Sequence, residues 1–211
     1  MMHLGFVEFV KTSPMVIGVL IFFSVMMVAY AIERWWVFKS KARFDEQFWQ
    51  RITNFVLQDR LKDAISLCEV TKNVYAEIFR AGIDASQFSR QDAEDSMVIQ
   101  KEECQEELRK RLGLFGTFSF ISPLLGLLGT VLGIMRAFHD MSIAGSGGPS
   151  IVAAGISQAL ITTVVGIVVA IPSAIFYNYF TFKLRAVIVH MNAYSQRLLV
   201  LLFEKRYKQK K

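Results

Sequence analysis

Charge is missing from three long stretches of this sequence. No Asp, Glu, Lys or Arg occurs in the 18 residues 15–32, the 24 residues 112–135 or the 42 residues 141–182. Such runs exclude a disordered chain, which needs high charge and little hydrophobicity. They also exclude an ordinary soluble enzyme as the first expectation. Cysteine is scarce: Cys68 and Cys104 are the two present and have no CxxC spacing, which excludes a disulfide-stapled secreted module. Histidine is limited to His3, His139 and His190, too scattered to predict a metal site. No nucleophile constellation, phosphate loop or catalytically spaced carboxylate pair is visible, so no enzyme, cofactor or catalytic residue is expected. The chain has 211 residues, of which 53% are hydrophobic, little above a globular average. The clustering of that hydrophobicity, not its total, makes this a membrane protein.

A helix rises ~1.5 Å per residue and bilayer hydrocarbon is ~30 Å thick, so roughly 20 apolar residues span it. The first run spans if Pro14 opens the helix, a position where proline is tolerated. The second is long enough with tilt. The third is too long for one span, and its cluster Gly145, Gly147, Gly148, Pro149 predicts a loop before the last span. The expected fold is an all-α membrane protein with a terminal segment 1–14 and spans at 15–33, 112–138 and 156–180. A helical domain at 34–111, a short loop at 139–155 and a basic helix and tail at 181–211 complete it. Ala29-Tyr30-Ala31 has the small-x-small look of a signal-peptidase site. Lys11 offset by Glu8, and the basic cluster Arg34, Lys39, Lys41 and Arg43 on the wrong side for an exported chain, argue against cleavage.

The segments flanking the charge-free runs carry one, fourteen, one (Arg136) and eight Lys or Arg residues in chain order, accounting for all 24. Lys and Arg are retained in the cytoplasm, so the N-terminus is predicted outside and the C-terminus inside. The middle segment, with 14 basic and 15 acidic residues, is nearly neutral. The tail residues Lys205, Arg206, Lys208, Lys210 and Lys211 are read as facing anionic lipid rather than nucleic acid. Residues 44–111 contain no proline and predict four helices. Phe44, Phe48, Trp49, Ile52, Phe55 and Val56 mark the first by their spacing. Leu61, Ala64, Ile65 and Cys68 mark the second, with Asp59 as its N-cap. Val74, Ile78, Phe79 and Gly82 mark the third, and Ser89 with Asp92 signals the start of the fourth. With no Gly or Pro before Gly113, the fourth helix is expected to run straight into span two and carry it into the cytoplasm. Span three is expected to continue likewise through Phe203, and together these helices make a small scaffold domain.

None of the three apolar cores holds an Asp, Glu, Lys or Arg, with Glu33 and Arg136 at the ends, whereas ion-coupled membrane proteins normally keep such a group at mid-membrane. Hydroxyls and small residues take their place. In span three Gly155, Ala159, Thr163, Gly166 and Ala170 form a stripe that admits a close neighbour helix, with Gln158, Thr162 and Ser173 beside it. In span two Ser122, Gly126, Thr130 and Gly133 form another. Pro123 is expected to loosen its helix around Ser119, and Pro172 lies within span three. From spacing alone, each hydroxyl reads first as back-bonding or packing rather than as part of an ion path, and Gln158 reads as an interhelical hydrogen bond or as the border of a wet cavity.

The run Pro123-Leu124-Leu125-Gly126-Leu127-Leu128-Gly129-Thr130-Val131-Leu132-Gly133-Ile134-Met135 resembles the second-span signature of the MotA/TolQ/ExbB proton-channel family. Gly155-Ile156-Ser157-Gln158-Ala159-Leu160-Ile161-Thr162-Thr163, with Ala170-Ile171-Pro172 and Tyr177-Asn178, resembles its third-span signature, closest to the ExbB/TolQ branch. The resemblance implies a multi-pass protein of the bacterial inner membrane. It implies a homopentameric ring around the single-span helices of two ExbD- or TolR-like partners, with a TonB/TolA-like third component. In that family the partner's intramembrane Asp carries the proton and ring threonines face it, here Thr130 and Thr163. Thr162 and Gln158 would line the same path, Gln158 standing where family members often have Glu. The implied function is conversion of proton motive force into work on the cell envelope, with H+ as the transported ion. The alternative is a non-conducting membrane scaffold whose polar stripes only pack helices.

Overall fold

The computed structural model describes residues 14–144 and 149–209. These form seven helices: α1 Pro14–Lys41, α2 Glu46–Leu57, α3 Leu61–Val70, α4 Val74–Ala85, α5 Arg90–Arg109, α6 Leu112–Ala144 and α7 Pro149–Gln209. There is no strand among the described residues. Three of the helices (α1, α6 and α7) are long and apolar enough to cross a membrane. The chain divides into two compact units, and α1 and α7 contribute to both.

The first unit holds α1 up to Ile32, α6, and α7 up to Tyr179. Its large apolar side chains face outward: Phe22, Val25, Phe120, Leu127, Val164 and Val168 are all exposed. Ser122, Thr130, Thr162 and Ser173 are buried with Ala159 and Ala170. This arrangement reverses that of a water-soluble core and suits a hydrocarbon solvent, in which outward Leu and Val carry no cost and polar groups must be satisfied inside. Phe23 packs on Phe118 with ring centroids 4.8 Å apart, and Arg111 lies over the Tyr30 ring at 5.5 Å. Both contacts tie α1 to the start of α6.

The second unit comprises Glu33–Lys110 and the chain from Phe180. Its core is conventional. Phe48, Ile52 and Val56 of α2, Ala64 and Cys68 of α3, and Tyr75, Ile78, Phe79 and Ile83 of α4 are buried, as are Met97 and Leu108 of α5. Asp45, Asn73 and Ser89 cap α2, α4 and α5 through side-chain oxygens that accept from backbone N–H groups at 3.0, 2.8 and 3.0 Å.

Asp59 does not cap α3. It takes a left-handed φ of 62° and ends α2 instead, with Arg60 N–H donating to the Phe55 carbonyl and Asp59 N–H to that of Val56. This Schellman closure needs one residue in the left-handed region, which Asp reaches more easily than most.

The expected unbroken rod from α5 into α6 is also corrected. The helix stops at Arg109, Lys110 is extended, and Arg111 has a φ of 65°. The cause lies far away in sequence. Arg34, only 5% exposed, donates to the carbonyls of Lys110 at 3.0 Å and Glu107 at 3.4 Å. It thus satisfies helix-end acceptors with a cation at the negative end of the dipole. Lys41 adds an ion pair to Glu107, whose hydrogen bond holds the Lys41 ammonium above its ordinary range. α7, in contrast, is continuous for 61 residues.

Helix boundaries exceed the sequence expectation elsewhere. α1 continues past the expected span to Lys41, and α6 through Ala144 and α7 from Pro149 place helix within the expected loop 139–155. Pro149 opens its helix because the first turn needs no N–H. Residues 1–13 and Gly145, Gly147 and Gly148 of the expected loop lie outside the described residues.

Burial pushes the thiols of Cys68 and Cys104 and the phenol of Tyr75 each up to about 12. A group whose folded value is raised stabilises the fold fully below its unfolded value and loses that contribution as pH rises toward the folded one. Thermal stability of the second unit is therefore expected to hold from pH 7 to about 8.5 and to fall steadily toward pH 12. Circular dichroism melts across that range measure it; a melting temperature that rises with alkali would contradict it.

Candidate functional site

Spans α6 and α7 meet along small residues in antiparallel order. A Cβ placed on Gly155 would lie 2.4 Å from the Ala137 Cβ, and one on Gly133 would lie 2.6 Å from the Ala159 Cβ. On Gly126 it would meet the Thr162 carbonyl at 2.8 Å and the Thr163 Cα at 2.9 Å; on Gly166, the Ser122 carbonyl at 2.5 Å. Glycine is required at Gly126 and Gly166 because the opposing atoms are backbone and cannot yield. In lipid, where hydrophobicity does not drive helices together, this close approach is what holds the pair.

The same approach brings the predicted threonines together. Thr130 Oγ1 lies 2.5 Å from Thr163 Oγ1 and donates to the Gly126 carbonyl at 3.1 Å. Thr162 donates to the carbonyls of Ala159 at 2.8 Å and Gly126 at 2.9 Å. Thr162 is 1% exposed and Thr130 8%, whereas Thr163 and Gln158 remain partly exposed. The pair therefore has an inner member, Thr130, satisfied by backbone, and an outer member, Thr163, which is partly exposed. A hydroxyl with one proton and two lone pairs can donate inward to Thr130 while accepting from outside, or turn and donate outward.

Of the packing residues expected from sequence, Gly126, Gly133, Gly155, Ala159 and Gly166 all lie in the α6–α7 contact. Pro123 and Pro172 both sit inside continuous helix, so neither interrupts its span. Pro123 nevertheless lacks an N–H, which leaves the Ser119 carbonyl without its usual helical donor. The tail residues Lys205, Arg206, Lys208, Lys210 and Lys211 lie outside the described side chains.

Sequence reading missed Gly129, where a Cβ would lie 2.7 Å from Thr162 Oγ1, and Ala137 opposite Gly155. Gly129 stands three residues after Gly126 and four before Gly133, a spacing that signals one helical face. It also missed the α1 contribution, in which Ser173 Oγ approaches Met27 Sδ at 3.0 Å and donates to the Val169 carbonyl at 2.8 Å. Ser122 Oγ is fully buried and has no hydrogen-bond partner.

Comparison with known proteins supplies the family. Residues 70–193, which include both signatures and the threonine cluster, match the model of the MotA/TolQ/ExbB proton channel family. The Tol-Pal system protein TolQ of Haemophilus influenzae is 30% identical over 200 residues, covering 88% of each chain. A protein of Synechocystis sp. named ExbB-like 3 is 35% identical over 164 residues, 75% of this chain and 76% of its own. The biopolymer transport protein ExbB of Salmonella typhimurium is 31% identical over 173 residues, 73% of this chain and 69% of its own. By the family model, which matches more than half of the chain, and by these relatives, the chain belongs to the MotA/TolQ/ExbB proton channel family, in its ExbB/TolQ branch.

Proposed function

We propose that this chain is the ring-forming subunit of an inner-membrane proton-channel complex that converts proton motive force into work on the cell envelope. Five copies surround the single-span helices of two ExbD/TolR-like partners, each carrying an intramembrane Asp, and a TonB/TolA-like component delivers the work outward. The N-terminus faces the periplasm, and the second structural unit with the basic tail is cytoplasmic. The chain is not an enzyme and needs no cofactor; the moving ion is H+.

The observation that carries this reading is the hydroxyl pair Thr130–Thr163 in a set of spans whose apolar cores hold no carboxylate. A partner carboxylate in hydrocarbon is costly when charged and unpaired. Thr163 offers an acceptor when the acid is protonated, while its own O–H donates a hydrogen bond to Thr130. When the acid is ionised, Thr163 turns its O–H outward, and Thr130 still donates to the Gly126 carbonyl. Both protonation states are thus met without an unpaired group. One elementary charge crossing 100 mV releases about 2.3 kcal/mol, enough to bias a step of the partner against thermal noise. Gln158 and Thr162 border the same region, Gln158 as a neutral amide.

A scaffold reading draws on a different observation: the Thr130 and Thr162 hydroxyls are already satisfied by carbonyls of their own two helices. Reconstitution separates the two. The chain alone in vesicles is expected to conduct protons at background. Addition of a single-span protein with an intramembrane Asp is expected to raise flux, and an uncoupler to abolish the work of the complex. Robust selective conduction by the chain alone, or work indifferent to the uncoupler, would overturn the proposal.

A further inference from the structure

An apolar groove of about 330 Å³ lies in the first unit between the start of α1 and the second half of α6. Val16, Val19, Leu125, Leu128 and Leu132 line it, and Arg136 is the charged residue on its wall. From Leu125 to Arg136 is eleven residues, about 16 Å of helix, which is close to half the thickness of bilayer hydrocarbon. The groove is thus one leaflet deep, with a guanidinium where a headgroup would sit. Arg136 makes no ion pair among the described residues, and Asp140, one turn on, does not engage it. A solvated surface would leave such a cation unremarkable. Here it stands in a chain segment, 112–182, where it is the one basic residue.

From this we infer that the groove binds one acyl chain of an anionic phospholipid, with its phosphate held by Arg136. The long apolar wall selects an acyl chain, and guanidinium geometry suits a phosphate. This site is separate from the basic tail. It rests on α1 and α6 spanning a membrane and does not depend on the proton path.

Native mass spectrometry of the detergent-purified complex, with phosphatidylglycerol and phosphatidylethanolamine supplied in equal amounts, tests it. The unaltered protein is expected to retain phosphatidylglycerol preferentially. Arg136→Gln should lower that preference about fivefold, the effect of one headgroup-level cation, while keeping lipid bound. Leu128→Trp fills the groove at a side chain already 47% exposed and should reduce retained lipid to background without loss of the oligomer. An unchanged lipid preference in Arg136→Gln would overturn the inference. So would Leu128→Trp dissociating the oligomer with lipid retention intact, since the groove would then be covered by a second copy. Loss of proton flux in other variants leaves both readouts unaffected, so this site and the proposed function fail separately.

Discussion

Gly166→Leu is expected to yield almost no assembled protein, and Gly126→Leu nearly as little. At Gly166 even a Cβ would sit 2.5 Å from the Ser122 carbonyl oxygen, with the Gly126 Cα at 3.1 Å behind it. Neither atom belongs to a flexible side chain, so α6 and α7 must separate to admit the added group. Separation breaks the van der Waals contact that holds membrane helices together. It also opens the hydrogen bonds from Thr162 to Gly126 and between Thr130 and Thr163. Overpacking in a core costs roughly 1–3 kcal/mol for a few methylenes when side chains can adjust, and more when backbone blocks the way. Gly166→Ala should therefore already lower stability measurably. Gly18 and Gly113 serve as controls, since nothing stands within 4 Å of a Cβ at either. The yield of oligomer after size exclusion, compared across the four leucine variants, decides the matter. Equal recovery of Gly166→Leu and Gly113→Leu would remove the packing account.

The second large effect concerns function with assembly preserved. Thr130→Val combined with Thr163→Val is expected to reduce proton-driven work more than tenfold while the oligomer remains intact. Valine nearly matches threonine in volume but has no hydroxyl. The Gly126 carbonyl that accepts from Thr130 keeps its helical backbone donor, so loss of the side-chain bond costs about 1 kcal/mol. The functional loss is greater because an ionised partner carboxylate would face two methyl groups where it had a donor. Thr163→Val alone should account for most of it, since Thr163 is the outward member, and Thr163→Ser should restore it. Thr162→Val should act mainly on assembly, because Thr162 is buried and bonded to the Ala159 and Gly126 carbonyls. Proton flux in vesicles, read beside oligomer mass, separates the two effects. Full activity in the double variant would sink the assignment of Thr130 and Thr163 to the ion path.

Much of this protein is legible from local chemistry. Charge-free runs of sufficient length locate three spans without reference to packing, because the bilayer imposes its thickness on any helix that crosses it. Ser89 followed by Asp92 announces a helix start because the capping oxygen and the donor it meets are three residues apart in the chain. The glycines of 126–133 and 155–166 signal a close helix contact because their period matches one helical face. What was misread depends on partners distant in sequence. Lys110 and Arg111 contain nothing that breaks a helix; the break is stabilised by Arg34, more than seventy residues earlier. Asp59 looks like a cap from its neighbours, yet the closure of α2 claims it first.

The order of apolar and charged segments, and the absence of any carboxylate from the apolar cores of the spans, were determined by sequence alone, since both are one-dimensional properties of the chain. Only the tertiary structure decided that Thr130 lies inside and Thr163 outside the same hydroxyl pair. The two residues belong to different helices, and their relative depth follows from how closely glycine lets those helices approach. That distance is written in no single segment; it emerges when α6 and α7 pack.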